Sequence, residues 1–141
     1  MRTHRMRRLS LLFRGGLLIT LFALCGGAPV EDLVESLPLF GTPPTPQYSG
    51  YLDGTAGCDT SVNGAYCKVH YWFAAAAADA GDAADANKHK PVVLWLNGGP
   101  GSSSILGLLQ ENGPLLMNAQ GGLMENPYAW TNVANLLVLE S

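Results

Sequence analysis

Pro91-Val92-Val93-Leu94-Trp95-Leu96-Asn97-Gly98-Gly99-Pro100-Gly101-Ser102-Ser103-Ser104 runs from a solid apolar block into a glycine-rich bend. The apolar part is bounded by proline on one side and by Asn97-Gly98-Gly99 on the other, the pattern of a central strand buried on both faces. Glycines directly after it keep side chains away from the bend, so peptide N–H groups there can closely face a ligand carrying a negative oxygen. Ser102 to Asn112 then predicts a short helix: three serines offer caps, Ile105, Leu108 and Leu109 share a face, and Gly113-Pro114 forms a stop. Strand, glycine turn and helix in that order indicate an α/β fold.

Upstream, Tyr48-Ser49-Gly50-Tyr51-Leu52 and Lys68-Val69-His70-Tyr71-Trp72-Phe73 predict two strands, and the turn between them suggests an antiparallel pair. Cys58 and Cys67 flank a Val62-Asn63-Gly64 turn signal, so in an oxidising compartment they are expected to close a hairpin-like loop as a disulfide. A metal site is not indicated, since there is no C-x-x-C and only His70 lies near. Pro29 to Pro46 reads as an extended arm, and the alanine and aspartate tract from Ala74 to Lys90 as a frayed helix or solvated insert without chemistry. Downstream, Leu136-Leu137-Val138-Leu139 predicts a further buried strand.

Residues 1–28 have another character. Arg2, Arg5, Arg7 and Arg8 precede an apolar run from Leu17 to Cys25 and then Gly26, Gly27 and Ala28, the layout of a secretory signal peptide. The run is far shorter than the roughly 20 residues a spanning helix needs. Its removal leaves three lysines against 11 acids, a net charge of −8. Nucleic acid and anionic membrane are poor partners for such a surface, which fits the secretory pathway and an extracellular, lysosomal or vacuolar destination.

In α/β-hydrolases a glycine loop after the third strand supplies one N–H of the oxyanion hole, and the second comes from the residue after the nucleophile. The chain resembles the amino-terminal part of the serine carboxypeptidase family. The resemblance is carried by Tyr48-Ser49-Gly50-Tyr51, His70-Tyr71-Trp72-Phe73, Pro91 to Gly101, Glu111-Asn112-Gly113-Pro114, Asn126-Pro127-Tyr128-Ala129-Trp130 and Val133 to Ser141, in the family's order. It implies an α/β-hydrolase fold, of which residues 29–141 would form the amino-terminal part only: the first strands, the oxyanion loop and the following short helix. It further implies that Asn97, Gly98 and Glu111 bind the free carboxylate of a peptide's last residue, that Trp95 buttresses them, and that Gly99 is the oxyanion donor. The implied substrates are peptides or proteins with a free carboxyl terminus, and no cofactor or metal is implied. Ser102 stands where many members carry cysteine, and the pair Cys58 and Cys67 is not a feature of this region of the family.

No G-x-S-x-G elbow occurs in the sequence. The Ser102-Ser103-Ser104 run is assigned to helix capping, and no catalytic residue is assigned within the chain. The family's nucleophile, aspartate and histidine would lie beyond Ser141, so the chain alone is expected to be inactive and to be part of a larger protein. Two other readings fit the sequence: a related acyltransferase that keeps the fold but changes the acceptor, and a secreted non-catalytic binding protein.

Overall fold

A computed structural model describes residues 28–58, 66–78, 89–99 and 101–140. The signal-peptide reading of residues 1–27, the Val62-Asn63-Gly64 turn and most of the alanine and aspartate tract lie outside the described residues.

Strand β1, Gln47–Asp53, pairs antiparallel with β2, Lys68–Ala74, from Gln47 opposite Ala74 to Asp53 opposite Lys68. The aromatic and β-branched alternation of β2 suits a pleated surface and fixes that register. The expected disulfide joins Cys58 to Cys67 beyond the open end of the pair, with Cα atoms 6.2 Å apart. Strand β3, Val92–Trp95, follows, then helix α1, Ile105–Gln110, a small hairpin of β4, Leu115–Met117, and β5, Leu123–Glu125, and finally β6, Asn135–Glu140. The main sheet is mixed, in the order β1-β2-β6-β3, with β6 antiparallel to β2 and parallel to β3. Leu136–Val138 therefore occupies the centre, as its apolar run predicts.

One sheet face carries α1. Alternation points Ala74, Leu136 and Val138 to that side, where they form a buried cluster with Leu108, and Trp72, Val93, Trp95 and Ile105 pack around it. Full burial of a side chain such as Leu108 stabilises the fold by about 1.5–3 kcal/mol. The helix is shorter than its sequence signals suggest, because Glu111 leaves helical geometry at φ −127°. Gly113 closes it: a Cβ there would run into the carbonyl of Leu108.

Two expectations need correction. Among the described residues β3 is neither central nor buried on both faces. There it is an edge strand paired with β6 alone, and Val92 and Leu94 are 60% and 50% exposed while Val93 and Trp95 face the core. Only one of its faces meets a described element. The alanine tract also begins inside the core: Ala74, Ala75 and Ala76 are buried, the Ala76 N–H donates to Asn135 Oδ1 at 2.9 Å, and the Ala77 N–H donates to the Thr131 carbonyl. These alanines are small because the backbone runs close beneath Thr131 and Asn135.

The arm before β1 has little regular structure, as expected, apart from a short 3-10 turn at Val30–Asp32. It is tied to the sheet by the Val34 N–H on the Gln47 carbonyl and by the Tyr71 hydroxyl, which donates to Asp32 Oδ2 at 2.6 Å. Gly50 opposite Tyr71 makes room, since a Cβ there would meet the Asp32 carboxylate. The β4–β5 hairpin has no strong sequence signal. Its turn is built by Asn118, whose Oδ1 accepts the N–H groups of Gln120 and Gly122, with Gly121 at φ +79°.

Candidate functional site

The site grows out of the carboxyl end of β3. Trp95 turns its indole toward α1 and meets Trp130 edge to face at 5.4 Å. Its Nε1–H donates to Asn97 Oδ1 at 2.7 Å. An indole nitrogen can only donate, so the Asn97 atom facing it is the oxygen and the NH2 group points away. That NH2 has no partner among the described residues, which leaves two donors for a ligand. The Asn97 backbone N–H is bound to Ser104 Oγ at 3.2 Å, so both the main chain and the side chain of Asn97 are fixed.

Gly107 explains how the pair fits on the helix. A Cβ at Gly107 would collide with the Trp95 indole nitrogen and lie 2.8 Å from Asn97 Oδ1. The indole and the amide thus lie directly on the backbone of α1. Glu111 follows one turn later, its N–H donating to the Gly107 carbonyl at 3.0 Å. It is exposed, and its carboxyl has no hydrogen-bond partner among the described residues. The structure brings Trp95 and Asn97 into contact and sets Glu111 one helical turn beyond the glycine they cover, with no direct bond between Asn97 and Glu111.

Gly98 and Gly99 are exposed at the bend, and their N–H groups have no partner among the described residues. Gly99 has φ +151° and Gly101 φ +91°, conformations that disfavour a side chain. A Cβ on Gly99 would also come within 2.9 Å of the Gly101 nitrogen and 3.1 Å of the Ser102 nitrogen, so the bend is too tight for any other residue. Chemically it is a set of unoccupied backbone donors beside an oriented amide, suited to an anionic oxygen.

The serine run divides its work. Ser103 Oγ lies 3.3 Å from the Ile105 nitrogen, as a capping hydroxyl should, whereas Ser104, at the N-cap, makes no capping bond and holds Asn97 instead. Glu140 at the end of β6 was not singled out by the sequence. Its Oε2 accepts from Ser103 Oγ at 3.0 Å and from the Ile105 N–H at 3.2 Å. Gly107 was missed too, although glycine inside a short helix is a signal in itself, since alanine is favoured there by about 1 kcal/mol.

A Ser–His pair does exist on the sheet: Ser49 Oγ and His70 Nε2 are 2.8 Å apart, beside the Tyr51 ring. Both residues lie within strands rather than on an elbow, and no acidic side chain is bonded to the ring's other nitrogen among the described residues. The pair has the composition of a nucleophile and base without the exposed turn or the orienting carboxylate that would activate it.

Residues 38–141 match the serine carboxypeptidase family profile. The chain is 45% identical over 116 residues to the lysosomal protective protein of Mus musculus, covering 81% of this chain and 21% of that protein. It is 45% identical over 94 residues to carboxypeptidase Y homolog A of Pyricularia oryzae, covering 67% of this chain and 14% of that one. Among solved structures it resembles Kex1(delta)p, a prohormone-processing carboxypeptidase from Saccharomyces cerevisiae, with a TM-score of 0.54 and 26% identity over 69% of this chain and 19% of the other. The chain thus spans a quarter or less of the length of these relatives.

Proposed function

Because the chain belongs to the serine carboxypeptidase family, we propose that it supplies the oxyanion loop and the carboxylate-recognition half of a serine-type carboxypeptidase of α/β-hydrolase fold. The nucleophile, aspartate and histidine come from sequence not included in these 141 residues, and the chain alone does not hydrolyse peptides. The substrates are peptides or proteins with a free carboxyl end, encountered along the secretory pathway or in a lysosome-like or vacuole-like compartment.

The observation that carries this reading is the orientation of the Asn97 amide. With its oxygen held by the Trp95 indole, only its NH2 faces outward, beside the N–H of Gly98, which has no partner among the described residues. Such a surface favours a carboxylate, with two charged acceptor oxygens, over a blocked chain end that offers one neutral carbonyl acceptor. Glu111, one turn along α1, is the side chain that completes the recognition of the chain end. The Gly99 N–H then serves as one oxyanion donor for the scissile carbonyl, a few ångströms inward from the chain end.

The test is kinetic and uses the full-length protein translated from the complete transcript. Asn97→Ala and Glu111→Ala are each expected to lower kcat/KM for free-ended peptides by about 10- to 100-fold, the size expected for one hydrogen bond to a charged group. Esters and peptide amides without the free carboxylate should be much less affected. Equal losses on free and blocked substrates would make these residues structural and remove the carboxypeptidase reading of the site.

A further inference from the structure

We propose that Glu140 is a positioning residue for the oxyanion loop, a role that rests on the carboxypeptidase reading above. The loop leaves the sheet at Asn97 and enters α1 at Ile105, so its shape depends on what holds those two ends. The first end is held by Ser104, whose hydroxyl accepts the Asn97 N–H. That leaves the N-cap of α1 without its own side-chain bond. Glu140 fills the gap from outside the helix. Alternation along β6 points Leu136, Val138 and Glu140 to the face that carries α1, and the parallel pairing of Val138 with Trp95 brings the end of β6 alongside the start of the loop. One carboxylate oxygen, Oε2, then takes both the Ser103 hydroxyl and the Ile105 N–H.

The neighbours leave Glu140 free for this task. His70 stands opposite it on β2, but the His70 Nε2 is engaged with Ser49. No lysine or arginine is bonded to Glu140 among the described residues, so its charge is directed at the first turn of the helix, where it shares the Ile105 N–H with Ser103 Oγ. Glu140 makes no hydrogen bond to Asn97, Gly98, Gly99 or Glu111. Its effect therefore passes through the loop backbone, and through the placement of the Gly99 N–H in particular. An oxyanion donor works only if it is aimed at the oxygen as charge develops, so loosening the tether should weaken the transition state more than the bound substrate.

Two measurements on the full-length protein decide the matter. In steady-state kinetics, Glu140→Ala should lower kcat by about 10- to 100-fold, with free-ended peptides and esters affected alike, because displacing a catalytic donor by about 1 Å has an effect of that order. KM should change by less than about threefold, as it does when an interaction made only in the transition state is lost. Glu140→Gln keeps an oxygen for both donors and should recover most of the rate. Ser103→Ala, which leaves Glu140 on the Ile105 N–H alone, should give a smaller loss of the same pattern and serves if Glu140→Ala does not fold. A loss confined to free-ended peptides, or one seen mainly in KM, would place Glu140 in substrate binding and overturn the proposal. The second measurement is amide hydrogen exchange at Ile105, expected to be slow in the wild type and in Glu140→Gln and clearly faster in Glu140→Ala. Unchanged exchange would overturn the tether even in an active enzyme. A wild-type protein without any carboxypeptidase activity would instead sink the proposed function, and Ile105 exchange would still decide the tether.

Discussion

Gly107 has no side chain because two others lie where it would be. Replacing it by alanine gains about 1 kcal/mol of helix propensity but forces a methyl group into the rigid Trp95 indole, and such overpacking costs about 1–3 kcal/mol. Gly107→Ala is thus expected to lower stability rather than raise it, and to reduce selectivity for free carboxyl ends by displacing Asn97. Chemical denaturation and the free-to-blocked kcat/KM ratio measure the two effects. On the opposite face of the sheet, burial first and the hydrogen bond to Asp32 second push the Tyr71 hydroxyl up to about 12. The folded chain therefore keeps this proton at pH values where the unfolded chain, with an ordinary tyrosine near 10, has released it. The contribution is fully present below about pH 10 and is lost as pH rises through about 12. Tyr71→Phe should flatten the alkaline decline in stability measured by urea titration, at a cost near neutrality of about 1 kcal/mol for the lost bond. An equally steep alkaline decline in the variant would show that another group governs it.

At the scale of elements, the β1–β2 pair was the most legible part of the sequence. Its alternation and its cysteines specify register and closure from local information alone. Reducing the disulfide, or replacing both cysteines by serine, is expected to cost about 2–3 kcal/mol, the loop-closure value for a short ring, while leaving the pairing of Tyr48 with Phe73 intact. Thermal melts and hydrogen exchange on β2 test the two halves of that statement. The β4–β5 hairpin was not legible, because three-residue strands are too short to show a period and the turn is made by one side chain, Asn118. Ala74 to Ala76 misled for a different reason: composition marks a tract as low in complexity but does not show that Asn135, 59 residues later for Ala76, supplies a hydrogen bond to it. The candidate site divides in the same way. Its loop is visible in the glycines, whereas the bond from Trp95 to Asn97, the bare patch at Gly107 and the reach of Glu140 across the sheet depend on tertiary placement that spacing does not encode.

At the scale of the molecule, one sheet face is covered by α1 among the described residues, whereas the other meets only the arm before β1, through Asp32 at Tyr71. Leu52, Val92 and Leu94 are each about half exposed or more, and together with Phe73, Leu137 and Leu139 they face away from the helix. The apolar run at Pro91–Leu96 predicted a strand buried on both faces, and only one is buried among the described residues. Produced as these residues alone, the chain should self-associate, and Leu94→Lys, which puts a charge in the middle of the bare strand, should raise the concentration at which light scattering begins. The outer side of β3 adds a temporal problem. It is a row of N–H and C=O groups at strand spacing with no neighbour among the described residues, and backbone groups do not distinguish one extended segment from another. Whichever segment reaches it first can occupy it, whether from the same polypeptide or from another copy emerging nearby. Folding of this sheet is then a race between synthesis and encounter, and how crowded the compartment is during translation decides how much of the product is ever recovered in working form.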